Sequence, residues 1–171
     1  MRKQNMTLWG LFAALFCISA WICLPLGNFV FSLQTGTLFL SLFLLGGKAT
    51  LAVVVLYLTL GAVGLPVFSG FRGGIGMLLG PTGGYLWGFL ACSLVFWLLH
   101  PKNQKQKIMA ALLGLAACYS LGALWFRFGY GNDGSLWLIL LQTVIPYIIP
   151  DLLKLFFGFL LAKRLSPLLP A

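Results

Sequence analysis

Charged residues in this chain sit almost only at the ends of long apolar runs. A bilayer's hydrocarbon core is about 30 Å thick, and a helix crosses it with roughly 20 mostly apolar residues. Six stretches approach that description, over about residues 7–25, 35–46, 49–65, 80–99, 106–127 and 136–163. Composition agrees: 8% of the 171 residues are charged and 61% are hydrophobic, whereas a soluble domain has about 25% charged residues to cover its surface. The expected fold is an all-α integral membrane protein, one domain (1–171) of six transmembrane helices. The second and third runs are short and divided only by Gly46-Gly47-Lys48, so they read either as two tightly connected helices or as one long span.

Positive charge sets the orientation. With six spans, one side carries Arg2, Lys3, Lys48, Lys102, Lys105, Lys107, Lys163 and Arg164; the other carries Arg72 and Arg127, with Asp133 near the latter. Lys and Arg accumulate on cytoplasmic loops, so both termini are expected to be cytoplasmic in a multi-pass protein of the cell membrane. Five spans would put Lys163 and Arg164 opposite the basic 102–107 loop. The net charge of +9 is therefore a topology signal. Nucleic-acid binding calls for a contiguous basic patch or arm, and none is present.

Other signals are excluded on similar grounds. The N-terminus starts like a signal peptide, but its apolar stretch is too long and no A-x-A-like site follows, so a retained first helix is expected. Cys17, Cys23, Cys92 and Cys118 lie in apolar runs without CxxC spacing and read as small packing residues rather than metal ligands. His100, beside Pro101 at a helix end, reads as an interface residue. The tryptophans and tyrosines mostly suit the aromatic belts at the membrane surfaces.

One charged pair breaks the pattern. In "PYIIPDLLKLFF", Asp151 and Lys154 stand three residues apart inside the last apolar run. Asp151 lies twelve residues before Lys163, about 18 Å from the cytoplasmic interface on a helix. That places it slightly to the outer side of the membrane centre, with Lys154 near the middle. Each such charge costs about 2.5–3.5 kcal/mol to insert, and positions i and i+3 share a helix face. Two readings follow: a mutual ion pair that locks the bundle, or a polar ligand site in which Lys154 meets an anionic group and Asp151 accepts N–H donors. Pro146 and Pro150 favour a lined cavity. Pro150 either begins a helical segment or kinks the span, and both free backbone groups near Asp151.

Residues 64–89 carry nine glycines, which let backbones or a ligand approach closely. "GPTGG" lacks the GK[ST] ending of a phosphate-binding loop. The stretch reads as an ordered outer lid bearing Phe68, Phe71, Tyr85 and Trp87, or else as a purely structural re-entrant turn. Gln34, a polar amide in apolar surroundings, needs a partner and is a further candidate for the site.

Taken together, "GLPVFSGFRGG", "GPTGGYLWGF", "PYIIPDLLK" and the upstream "LPLGNFVFSLQT" resemble the biotin-specific S component of energy-coupling-factor transporters, the BioY family. The likeness covers about residues 24–165. It implies a six-helix membrane protein that captures biotin from outside, with Asp151 and Lys154 contacting the ligand and the loop around Phe68 to Gly74 closing over it. Phe68, Phe71, Arg72, Gly73, Tyr85, Gln34 and Tyr147 are the accompanying ligand-site candidates. It also implies partners, a membrane T component and two ATP-binding-cassette ATPases, and an S component that topples in the membrane to deliver its ligand. Three departures stand out. "IPD" replaces the usual "PGD", Arg72 occupies a position usually small or polar, and the AxxxA docking surface of the first helix is replaced by Gly10–Ala14 and Ala13–Cys17.

The chemistry of the ligand is compatible: biotin's carboxylate, ureido N–H and carbonyl groups and apolar ring match a lysine, an aspartate and aromatic walls. An intramembrane enzyme is disfavoured, since the chain has no glutamate, two aspartates and one histidine. It has no Walker motif, so ATP hydrolysis must come from partners, and no cofactor or metal is expected. The alternatives are an S component for another vitamin and a membrane assembly subunit without a ligand.

Overall fold

Helices dominate, and their breaks fall where glycine and proline dictate. The computed structural model describes residues 3–26, 29–129 and 135–168; Arg2, Gly27, Asn28 and Asp133, on which some sequence expectations rest, lie outside the described residues. The chain forms α1 (Lys3–Trp21), an antiparallel hairpin of β1 (Cys23–Leu26) and β2 (Phe29–Ser32), α2 (Gln34–Leu45), α3 (Gly47–Ala62), the short α4 (Ile75–Leu79) and α5 (Gly83–Leu99). Then come α6 (Gln104–Leu124), which ends in a π-helical turn over Trp125–Gly129, α7 (Leu136–Thr143) and α8 (Ile145–Leu165).

The 35–65 region is two helices, joined through Gly46 alone. Gly46 has φ 81° and ψ 168°, a region essentially closed to residues with a Cβ. Beside it, a Cβ on Gly47 would run into the backbone of Trp97, so the start of α3 presses against the end of α5. The turn from α5 to α6 is equally defined. His100 adopts a left-handed φ of 42°, and Asn103 and Gln106 form a reciprocal capping box that satisfies the first amides of α6.

The stretch expected as one span over 136–163 is instead α7 and α8, broken at Val144. Pro146 explains the break: it has no N–H to donate and its ring would clash with the carbonyl four residues back. Likewise the region expected as the end of the first span, after Trp21, is the β1–β2 hairpin.

α5 and α6 make the most extensive helix pair, followed by α2 with α8 and α3 with α5. Gly88 accommodates Cys118, and Gly114 accommodates Cys92, so the α5–α6 backbones approach closely, as small residues allow between membrane helices. Phe16, Phe39, Leu42, Val53, Tyr57 and Cys92 are fully buried at the centre. Among the described residues, two segments, Gln104–Gly129 and Ile145–Leu165, are long and apolar enough to cross a membrane; Met6–Trp21, Gln34–Leu45, Gly47–Ala62 and Gly83–Leu99 are shorter apolar helices. The outer face of α8 leaves Leu153, Phe156, Phe157 and Leu161 about half exposed, a continuous apolar surface of the kind that marks a membrane or partner contact rather than contact with water.

Candidate ligand-binding site

At the end of the bundle that carries the hairpin and the 63–82 connection lies a cavity of about 260 Å³. The start of α2 contributes Gln34 and Thr35, the 63–82 connection Phe68, Ser69, Arg72, Met77 and Thr82, and α5 Tyr85 and Phe89. Opposite them stand Tyr119 of α6, Thr143 of α7, and Tyr147, Asp151 and Lys154 of α8. The volume lies a little below the roughly 300 Å³ at which pockets for drug-sized ligands begin, and the apolar-with-few-polar lining is typical of such sites.

Asp151 and Lys154 form the charged wall. Asp151 is 3% exposed. Its Oδ1 accepts from Lys154 Nζ at 2.8 Å and from the Thr35 hydroxyl at 2.8 Å, while Oδ2 accepts from the Tyr119 hydroxyl at 2.6 Å. Lys154 Nζ also donates to the Ser32 carbonyl at 2.6 Å and to Thr35 Oγ1 at 2.9 Å, so its three N–H groups each have an acceptor. The ammonium sits 3.8 Å from the Phe31 ring centroid, a cation–π contact worth about 0.5–2 kcal/mol. Tyr147 in turn stacks on Phe31, with centroids 6.5 Å apart. The arrangement combines both readings of the sequence: the two charges pair with each other, and they still line an open cavity. A carboxylate has about four lone-pair sites, and three are used, which leaves Asp151 able to accept one more donor from the cavity.

Local sequence explains the placement. Gly36 places α2 against the lysine stem, where an added Cβ would stand at ordinary contact, 3.6 Å from Lys154 Cβ. Pro150 lies inside α8, one position before Asp151, and removes the helical bond to the Pro146 carbonyl.

The other expected residues divide into two groups. Gln34, Phe68, Arg72, Tyr85 and Tyr147 reach the cavity. The Tyr85 hydroxyl is buried beside Thr143 without a hydrogen bond of normal geometry, so like Asp151 it has unspent capacity. Phe71 and Gly73 do not reach the wall. Phe71 is exposed and stacks on Trp21, centroids 5.0 Å apart, while Gly73 packs under the Leu65 carbonyl where a Cβ has no room. On α1, Gly10 and Ala14 face outward, Ala13 is buried in the core and Cys17 is partly buried. That leaves Gly10–Ala14 as the small-residue pair on the surface.

Thr35, Ser32, Tyr119 and Phe31 were not anticipated. Thr35 and Ser32 flank Gln34 in "SLQT", so the polarity of that tetrapeptide was a usable signal. Tyr119, in the middle of an apolar helix, gave none.

Comparison with known proteins now decides the family. The BioY family model matches residues 1–171. The chain belongs to the BioY family. It is 40% identical to "Biotin transporter BioY" of Thermotoga maritima, over 93% of this chain and 94% of that one. It is 33% identical to "Probable biotin transporter BioY" of Pyrococcus horikoshii, over 97% and 98% respectively. The fold matches the crystal structure of the S-component for biotin from an ECF-type ABC transporter with TM-score 0.85, covering 98% of this chain and 95% of that one at 24% identity. This BioY-family chain is thus a membrane protein with the S-component fold.

Proposed function

We infer that this chain is the biotin-binding S subunit of an energy-coupling-factor importer in the plasma membrane. It takes up biotin from the outer side and is no enzyme; ATP hydrolysis belongs to partner ABC-type ATPases, joined to it through a T component. The observation that carries the ligand site is the Asp151–Lys154 pair lining a cavity that also presents Phe68, Tyr85, Phe89, Tyr119 and Tyr147. An anionic group and N–H donors on one small apolar ring system complement a lysine, an aspartate with one remaining acceptor position and the walls formed by Phe68, Tyr85 and Tyr147. Arg72 adds donors to the cavity, Gln34 lines it while its amide ties neighbouring elements together, and Phe71 and Gly73 belong to the lid that covers it. Gly10 and Ala14, with Ala13 and Cys17 behind them, supply a close-packing face for the T component.

In this reading α1, α2, α3, α5, α6 and the α7–α8 pair are six spans of one domain. Both termini are cytoplasmic, and Lys48, Lys102, Lys105, Lys107, Lys163 and Arg164 lie on that side. The placement of the short Gly46 and His100–Asn103 connections at the basic end, opposite the cavity, supports it.

Thermal unfolding of the detergent-purified protein tests the function. Biotin at a hundredfold excess over Kd stabilises the folded state by about 2.7 kcal/mol, and thiamin and riboflavin leave the midpoint unchanged. A midpoint indifferent to saturating biotin would remove the proposal.

A further inference from the structure

Three consecutive residues of the lid are held by two buried side chains, Tyr57 and Gln34. Tyr57 of α3 is fully buried and does not line the cavity. Its hydroxyl donates to the Val67 carbonyl at 3.1 Å and accepts from Gln34 Nε2. The edge of Phe68 meets the Tyr57 ring at 5.5 Å in a T-shaped contact, and Gly61 on the same helix leaves the space that the Phe68 ring fills. Gln34 Oε1 then takes the Ser69 hydroxyl at 3.0 Å and the Ser32 hydroxyl at 2.8 Å. Residues 67, 68 and 69 are therefore each fixed, by a carbonyl, a ring and a hydroxyl in turn. Phe68 and Ser69 are cavity wall. Behind Tyr57, Phe16 stacks at 5.4 Å, so the anchor is braced by the core of the bundle.

We propose that Tyr57, acting through Gln34, is the positioning residue that holds the 67–69 segment closed over the ligand cavity and so sets how long a ligand stays. This rests on the reading of the cavity as the biotin site. A ligand leaves an enclosed site only when its lid moves, and differences in affinity within one site fall mostly on dissociation. The bond from the Tyr57 hydroxyl to the Val67 carbonyl belongs to the closed lid, and the bond from Gln34 orients the amide that holds Ser69, so their loss speeds opening and leaves capture by an already open lid almost unchanged. Gln34 thus has a double duty: it faces the cavity, but its amide is spent on the hairpin, α3 and the lid.

Tyr57→Phe is the cleanest variant, because the ring contacts to Phe16 and Phe68 survive and only the hydroxyl bonds are lost. Ser69→Ala, at a half-buried position, cuts the same chain of bonds from the lid side and serves if Tyr57→Phe folds poorly. Thr59→Ala, an α3 residue whose hydroxyl bonds its own helix at Val55, is the control. Release of tritiated biotin into an unlabelled chase is expected to quicken about tenfold in Tyr57→Phe, the worth of one or two buried hydrogen bonds, with association altered less than about twofold. Ser69→Ala moves dissociation in the same direction, the double variant is no faster than Tyr57→Phe alone, and Thr59→Ala matches the parent. A second arm needs no ligand. Amide exchange at Phe68 and Arg72, which bond each other's carbonyls, accelerates in ligand-free Tyr57→Phe and not in Thr59→Ala. Unchanged biotin release in Tyr57→Phe and Ser69→Ala overturns the proposal, and so does unchanged exchange at those amides. If the parent protein binds no biotin, the functional reading fails while the exchange arm still decides the role of Tyr57.

Discussion

The two ends of the bundle are built on different rules. At the basic end the chain turns through Gly46 alone, and again through residues 100–103. Each turn is fixed by one backbone feature: a glycine-only conformation, or a left-handed residue followed by a capping box. At the cavity end the connections are long; Gly64, Gly70, Phe71 and Gly74 also take positive φ there, but polar side chains add a second set of ties to the bundle. Ser32, Gln34, Thr35, Tyr57, Ser69, Tyr119, Asp151 and Lys154 carry most of the side-chain bonds that cross between elements among the described residues. Tight turns serve where nothing must open. A network of hydroxyls, an amide and one ion pair serves where a surface must close on a ligand and later release it. Perturbations at the two ends should therefore separate: the cavity end trades ligand affinity, the basic end trades stability alone.

The largest effect is expected at the ion pair. Asp151→Ala strands the buried lysine at a cost of about 3–5 kcal/mol, lowers the unfolding midpoint and weakens biotin binding at least about tenfold, the scale of one lost charge-assisted contact. Asp151→Ala with Lys154→Met removes the stranded charge, so it recovers most of the midpoint and none of the affinity. Recovery of affinity in that double variant would erase the distinction between the ends. Next comes the basic end itself. Gly47→Ala drives a Cβ into the Trp97 backbone and should cost about 1–3 kcal/mol by overpacking, read as a lower midpoint with Kd unchanged. A shift in Kd there would mean that the ends are coupled. Tyr119→Phe, at the cavity end, removes one charge-assisted bond to Asp151 Oδ2, worth about 1.5–3 kcal/mol; it should lower the midpoint and, unlike Gly47→Ala, calorimetric titration should also register weaker biotin binding. The smallest effect belongs to Asn103→Ala, which breaks the capping box, costs about 1 kcal/mol and leaves biotin affinity alone.

Much of the bundle and the charged half of the site could be read from residue order. Asp151 and Lys154 stand out because charge inside an apolar run has few explanations, and their three-residue spacing puts them on one face. Gln34 stands out for the same reason. The hydroxyls do not. Ser41, Thr59 and Ser93 bond carbonyls of their own helices, whereas Thr35, Tyr57 and Tyr119 bond across elements. Nothing in the sequence separates the two groups, because an isolated hydroxyl in an apolar helix satisfies itself locally unless tertiary packing offers something better. The break at Val144 was legible in principle from Pro146, but proline inside apolar runs is also tolerated within membrane helices, and only the packing of α7 and α8 decides between these. The hairpin after Trp21 was hidden for another reason: its strands are as apolar as the helix before them, so hydropathy carries no boundary.

The most direct test of the central claim is the equilibrium affinity for biotin of the folded Asp151→Ala/Lys154→Met protein beside its parent. If the pair reads the ligand, the parent binds one biotin and the charge-free protein, equally well folded, binds at least about tenfold more weakly. Equal affinity in the two would mean that the pair only braces α8 against α2 and α6, and that biotin is recognised elsewhere.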